Sequence, residues 1–203
     1  EVYGTSGPRM LMWFDLINPP GSRGASAPMG SEVRMGSNPI FQVRAVGSFE
    51  QKPGSPPDAV AALGEERVET VCKGECYFPS DARRPITKID IIRIRPQERA
   101  GEPVDALIQD PWRSFSCEPD PAGCVVTFED PDYARDGRDT LYYARAYEPE
   151  KPSINGDSVR CERDADGECV SVDLCLSNED DCLAPVAPRA WSSPIWVDQP
   201  DAS

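Results

Sequence analysis

Met10-Leu11-Met12-Trp13-Phe14-Asp15-Leu16-Ile17 is the most hydrophobic stretch of the chain, closed in by Gly7-Pro8 on one side and Pro19-Pro20-Gly21 on the other. An apolar run this short, bracketed by turn formers, reads as a buried strand. Such a strand needs partners on both edges, and the rest of the sequence supplies candidates. Residues 33–35 and 40–46 read as strands, the second alternating through Phe41, Val43 and Ala45. Residues 86–94 are strongly β-branched and read as a central strand, with Arg93 and Arg95 marking its emergence into solvent. Residues 104–108, 112–117, 124–128 and 140–147 continue the series, and residues 191–197 close it.

Between these strands, residues 21–30 form a loop rich in Gly, Ser, Ala and Pro, residues 51–57 a proline-rich connection, and residues 74–84 a turn-rich segment. The period changes once. Ala59, Val60, Ala62, Leu63, Val68 and Val71 fall at helical spacing, with Asp58 as N-cap and Gly64 splitting the segment into two short helical turns. The 22 prolines and 15 glycines in 203 residues suit short strands joined by many turns. The expected fold is therefore mainly β: an immunoglobulin- or fibronectin-like antiparallel β-sandwich with a short helical insertion near residues 58–72 and disulfide-stapled loops. Tyr142-Tyr143-Ala144-Arg145-Ala146 is similar to the penultimate strand of such sandwiches, where a tyrosine corner packs against a loop. Residues 18–147 would form the sandwich core, 148–188 a cysteine-rich excursion poor in large apolar side chains, and 189–203 a final strand and polar tail.

Eight cysteines fall as near neighbours: Cys72 with Cys76, Cys117 with Cys124, Cys161 with Cys169, and Cys175 with Cys182. Even in number and closely spaced, they read as disulfide candidates that staple small loops in an oxidising, periplasmic or extracellular setting. Spacing alone does not fix the pairing. Zinc is the rival for Cys72 and Cys76, but no second CxxC follows and no histidine can complete a mixed site. The absence of histidine also removes the usual general base and any triad built on imidazole.

A formal charge of −14 with no basic stripe argues against nucleic-acid binding. No run of about 20 apolar residues is present to span a membrane. With Glu1 as its first residue and no leader-like segment, the sequence reads as a mature chain or a piece of a longer one. Asp164-Ala165-Asp166-Gly167 matches the start of a calcium loop, yet position 12 is Cys175 rather than glutamate, so the EF-hand pattern fails. A looser calcium site would draw on Asp164, Asp166, Asp173 and Asp180, against the plainer reading of an acidic turn with Asp-Gly at its tip. The run Asn178-Glu179-Asp180-Asp181 reads as a solvated loop. Trp13, Trp112, Trp191 and Trp196 would serve either as core packing or as a sugar-binding platform. No nucleophile motif and no singled-out carboxylate pair marks a catalytic residue.

Several stretches carry a family resemblance. Glu1-Val2-Tyr3-Gly4-Thr5-Ser6-Gly7-Pro8-Arg9 resembles the last catalytic-domain segment of an uncharacterised bacterial family, the domain of unknown function numbered three-six-zero-four. That family is similar to PHP-type (polymerase and histidinol phosphatase) metal-dependent hydrolases. Gly47-Ser48-Phe49-Glu50-Gln51-Lys52-Pro53-Gly54, Gly74-Glu75-Cys76-Tyr77, Asp110-Pro111-Trp112 and Arg189-Ala190-Trp191-Ser192-Ser193-Pro194-Ile195 look like its C-terminal portion. The resemblance implies that residues 1–17 are the end of a missing N-terminal catalytic domain, whose metal ligands lie outside this chain. It also implies that Thr5, Ser6, Gly7 and Arg9 lie near a phosphoesterase-like cleft. Gly7-Pro8 permits a sharp turn, and Arg9 is suited to bidentate pairing with an anion; the plainer alternative is a turn with Arg9 solvated.

The leading functional expectation is thus a non-catalytic accessory β-sandwich domain that covers or shapes the active site of a PHP-like hydrolase. A second is an extracellular module that self-assembles by donating its N-terminal strand to a neighbouring copy. A third is a calcium- or carbohydrate-binding module.

Overall fold

The computed structural model describes residues 2–21, 24–154, 161–172 and 182–200. In chain order the elements are β1 (Tyr3–Thr5), β2 (Leu11–Leu16), β3 (Ala27–Pro28), β4 (Glu32–Arg34), β5 (Ile40–Val46) and β6 (Phe49–Pro53), then helices α1 (Pro57–Leu63) and α2 (Glu65–Cys72). There follow β7 (Tyr77–Arg83), β8 (Lys88–Ile94), β9 (Ile108–Ser116), β10 (Cys124–Glu129), α3 (Tyr133–Asp136) and β11 (Thr140–Tyr147). The last six are β12 (Lys151–Ile154), β13 (Cys161–Arg163), β14 (Cys169–Val172), β15 (Leu183–Val186), β16 (Arg189–Ser192) and β17 (Ile195–Asp198). The fold is mainly β, as the sequence predicts.

The hydrophobic run forms β2, and its exposure alternates: Met12, Phe14 and Leu16 are buried while Leu11, Trp13 and Asp15 are half-covered. One face therefore meets the core and the other meets the surface, where Arg44 stacks over the Trp13 ring at 4.5 Å. β2 is hydrogen-bonded on both edges within its own chain, to β5 and to β3. With β10 on the far side of β5, these strands make a four-stranded sheet in the order β10-β5-β2-β3.

The second sheet is built around β11. One edge carries β8, in register from Leu141 opposite Ile94 to Tyr147 opposite Lys88, with β9 beyond it. The other edge is shared end to end by β16 and β17. Ser193-Pro194 interrupts them, since proline has no N–H for the ladder. β1 then adds antiparallel to β16, and β4 adds parallel to β17.

The inner faces of the two sheets share one core. Phe41 stands at its centre, with ring centroids 5.3 Å from Phe14, 5.3 Å from Phe128 and 4.6 Å from Tyr142. Met10, Ile89, Ile91, Ala144, Ala190, Ile195 and Val197 close around it. Near one margin of the core lies a buried polar group. Asp130 is fully buried and its Oδ2 accepts from Arg93 Nη1 at 2.7 Å and from the Tyr142 hydroxyl at 2.6 Å. Burial, with the Asp130 charge beside it, pushes the Tyr142 phenol far above its ordinary value. The Tyr142 hydroxyl is thus satisfied by a carboxylate side chain.

Four sequence expectations need correction. Arg93 does not emerge into solvent; it is only 6% exposed, because residue 93 sits on the inner face of β8 and finds Asp130 there. Helix α1 is not capped by Asp58: it starts at Pro57, with Asp58 in its first turn. The fixed φ of proline and its missing N–H suit the first helical position. The break at Gly64 is where the spacing places it. The segments read as a connection over residues 51–57 and as turn-rich over residues 74–84 instead contribute to a separate two-stranded ribbon, residues 49–53 pairing with residues 77–83. The strand expected over residues 104–108 begins only at its end, with β9 at Ile108.

Three of the four predicted cysteine pairs are disulfides, Cys72–Cys76, Cys117–Cys124 and Cys161–Cys169. Cys182 is also disulfide-bonded, and Cys175 lies outside the described residues. Cys117 and Cys124 pack against the core and join the end of β9 to the start of β10, while Cys161–Cys169 clamps a small hairpin away from it. Among the described residues no helix is long and apolar enough to cross a membrane.

Candidate functional site

Where β1 turns into β2, Gly7 adopts φ +95°, a conformation that side chains resist. The turn lays Gly7, Pro8, Arg9 and Leu11 along one wall of a groove of about 630 Å³. The β6–β7 ribbon supplies more of its lining through Phe49, Gln51, Pro79 and Arg83, and Ser48 and Lys151 complete it. That size is typical of a small-molecule site. The corner that brings the ribbon in depends on Gly47, where an added Cβ would lie 1.8 Å from the Arg84 carbonyl oxygen.

The charge in this groove is of one sign. Arg9, Arg83 and Lys151 line it and among the described residues no carboxylate does, on a chain whose net charge is −14. Arg83 is held in place: its Nη1 donates to the Gly47 carbonyl at 2.7 Å, and its guanidinium carbon lies 3.9 Å from the centre of the Phe49 ring. Arg9 is exposed, and among the described residues neither it nor Lys151 has a carboxylate partner. Ser48 is 2% exposed, and among the described residues its Oγ has no hydrogen-bond partner. Its backbone N–H donates to Glu148 Oε1 at 2.6 Å, and Glu148 Oε2 pairs with Arg84 Nε at 3.1 Å. The buried carboxylate behind Ser48 is thus matched internally and does not cancel the cations in front of it.

No family model, curated protein or solved structure matches this chain.

Of the four residues singled out by resemblance, Gly7 and Arg9 line the groove. Ser6 instead ties β1 to β16, its N–H donating to Arg189 O at 2.9 Å and its Oγ accepting from Arg189 N at 3.0 Å. Thr5 pairs with Ala190 and lines a shallower recess with Val2, Tyr3 and Arg9. Arg83 and Lys151 carry no motif and were not marked by the sequence. Only the approach of three distant segments makes them neighbours of Arg9.

Asp164 and Asp166 sit at the tip of the β13–β14 hairpin. Asp164 Oδ1 accepts from the backbone N–H of Asp166 and of Glu168, each at 3.0 Å, so this oxygen stabilises the turn. Asp173 and Asp180 lie outside the described residues, and among the described ones no cluster of three metal-ligating side chains forms. The four tryptophans do not gather on one surface. Trp13 lies on the outer face of the four-stranded sheet, Trp191 and Trp196 are in the other sheet, and Trp112 is stacked between Arg93 and Arg113, each 4.4 Å from its ring.

Proposed function

We propose that this chain is a non-catalytic accessory domain, an immunoglobulin- or fibronectin-like sandwich that works beside a PHP-like metal-dependent hydrolase in the periplasm or outside the cell. The observation carrying this reading is the meeting of three family-like stretches at one place. Residues 1–9 pair through β1 with residues 189–192 in β16, and Gly7 to Arg9 share the groove with Ser48, Phe49 and Gln51. Two of these stretches, far apart in sequence, thus line one concave surface suited to covering or shaping a neighbouring cleft, and the third is paired beside it through β1. The disulfides support an oxidising compartment.

The test is turnover. The purified chain, supplied with Zn²⁺ or Mn²⁺ and a panel of phosphate, sulfate and carboxylate esters, is expected to release no product. Metal-dependent hydrolysis that disappears in an Arg9→Ala variant would overturn the accessory reading. Reading the coding region upstream of Glu1 is the companion measurement, and an adjoining domain with histidine and aspartate metal motifs is the expected result.

A further inference from the structure

We infer that the groove between the Gly7 turn and the β6–β7 ribbon binds a small organic anion: a molecule with a carboxylate, phosphate or sulfate end and an apolar body. The claim takes up the accessory reading and names the ligand class of the same surface. Its first support is charge. With 35 acidic residues against 21 basic ones, a recess lined by three cations and, among the described residues, no carboxylate runs against the composition of the whole chain. Clefts of one sign with low-dielectric walls concentrate ions of the other.

The second support is preorganisation. Gly47 O takes one N–H of Arg83 and the Phe49 ring covers one face of its guanidinium, which fixes the side chain and leaves its other donors for a ligand. A fixed planar fork matches an oxyanion in bidentate fashion and loses little freedom on binding. Arg9 and Lys151, free of carboxylate partners among the described residues, add charge without first breaking an ion pair. The third support is Ser48. It lines the groove with a buried hydroxyl that lacks a partner among the described residues, and a buried polar group left unpaired is costly until a hydrogen-bonding ligand or water meets it. Pro8, Leu11, Phe49 and Pro79 provide the apolar wall that selects an organic anion over a bare inorganic one.

The experiment is an NMR titration of the ¹⁵N-labelled chain with phenyl phosphate, phenyl sulfate and benzoate, with benzyl alcohol as the neutral control. Saturable shifts in the amides of residues 7, 9–11, 48–51 and 83 are expected for at least one anion and not for the alcohol, and the best anion identifies the oxyanion type. Arg9→Ala/Lys151→Ala should weaken that binding at least tenfold while leaving the melting temperature unchanged, because both side chains are without ion-pair partners among the described residues. Arg83→Lys, which keeps the charge but removes the fork, should weaken it as well. Equal binding of benzyl alcohol, unchanged affinity in the double variant, or no saturable shift with any anion overturns the inference. The outcomes separate the two readings. Phenyl phosphate bound and left intact supports both, phenyl phosphate hydrolysed overturns only the accessory reading, and no anion bound overturns only the groove.

Discussion

Replacing Asp130 with asparagine keeps the shape of the side chain and removes one charge from the buried Arg93–Asp130–Tyr142 group. Asp130 Oδ2 accepts two hydrogen bonds, at 2.7 and 2.6 Å, and Oδ1 a third from the Asp132 N–H at 3.0 Å. An amide in the same place presents an NH₂ towards donors and leaves Arg93, 6% exposed, without its counter-charge. Removing one partner of a buried ion pair destabilises by about 3–5 kcal/mol. The entropy of unfolding is about 2.1 cal/mol/K per residue near 60 °C, so over 203 residues it amounts to roughly 0.43 kcal/mol/K. The melting temperature should therefore fall by roughly 7–12 °C in calorimetry. Replacing the whole polar group with apolar side chains, Arg93→Met/Asp130→Leu/Tyr142→Phe, should recover part of that loss, because the uncompensated charge is gone. A fall of less than about 2 °C for Asp130→Asn would refute the claim that this group is desolvated and mutually dependent.

Gly47→Ala should be among the most damaging single changes, since its Cβ would meet the Arg84 carbonyl oxygen at 1.8 Å; a melting temperature within 1 °C of the parent would contradict the close approach. Tyr133→Phe should leave stability unchanged or raise it by about 1 kcal/mol in urea titration, because the Tyr133 hydroxyl is buried and has no partner among the described residues. Cys117→Ser/Cys124→Ser should lower stability by roughly 2.5 kcal/mol on loop-closure entropy alone, whereas opening Cys161–Cys169 should barely move the main transition, as its hairpin lies outside the core. Burial pushes the Asp90 carboxyl up, but hydrogen bonds from Lys88, Ser114 and Tyr147 outweigh it and hold the group below its ordinary 3.8. Its contribution is then fully present above pH 3.8 and lost as pH falls through the lowered value, so the stability gap between the parent and Asp90→Asn should be constant from pH 5 to 7 and shrink in stronger acid.

The elements that could be read from the sequence are those with one wet and one dry face. β5 and β11 alternate because the core takes every second residue, and that period is visible in the letters. The β6–β7 ribbon is not visible for the opposite reason. All five residues of β6 are exposed and Pro53 and Pro79 interrupt its strands, so no apolar period exists to find. Arg93 misled because a charge near a strand end ordinarily signals solvent, and its partner Asp130 is 37 residues away. The groove was half legible: Gly7-Pro8-Arg9 announces a turn with a cation, but Arg83 and Lys151 join it only through the ribbon and through β12, which no local pattern foretells.

The broken edge of the larger sheet sets the order in which this protein can be completed. β1 and β4 are both among the first 34 residues, yet each waits for a strand beyond residue 188, β16 for one and β17 for the other. At a synthesis rate of about 5–20 residues per second, Tyr3 precedes its partner Ser192 by roughly 10–40 seconds. For that interval the flanks of β2 have no seat, although β2 and β5 can already pair. Emergence of residues 189–198 is thus the event that anchors β1 and β4, and a ribosome stalled anywhere before residue 189 would hold a product in which both strands lack their partners.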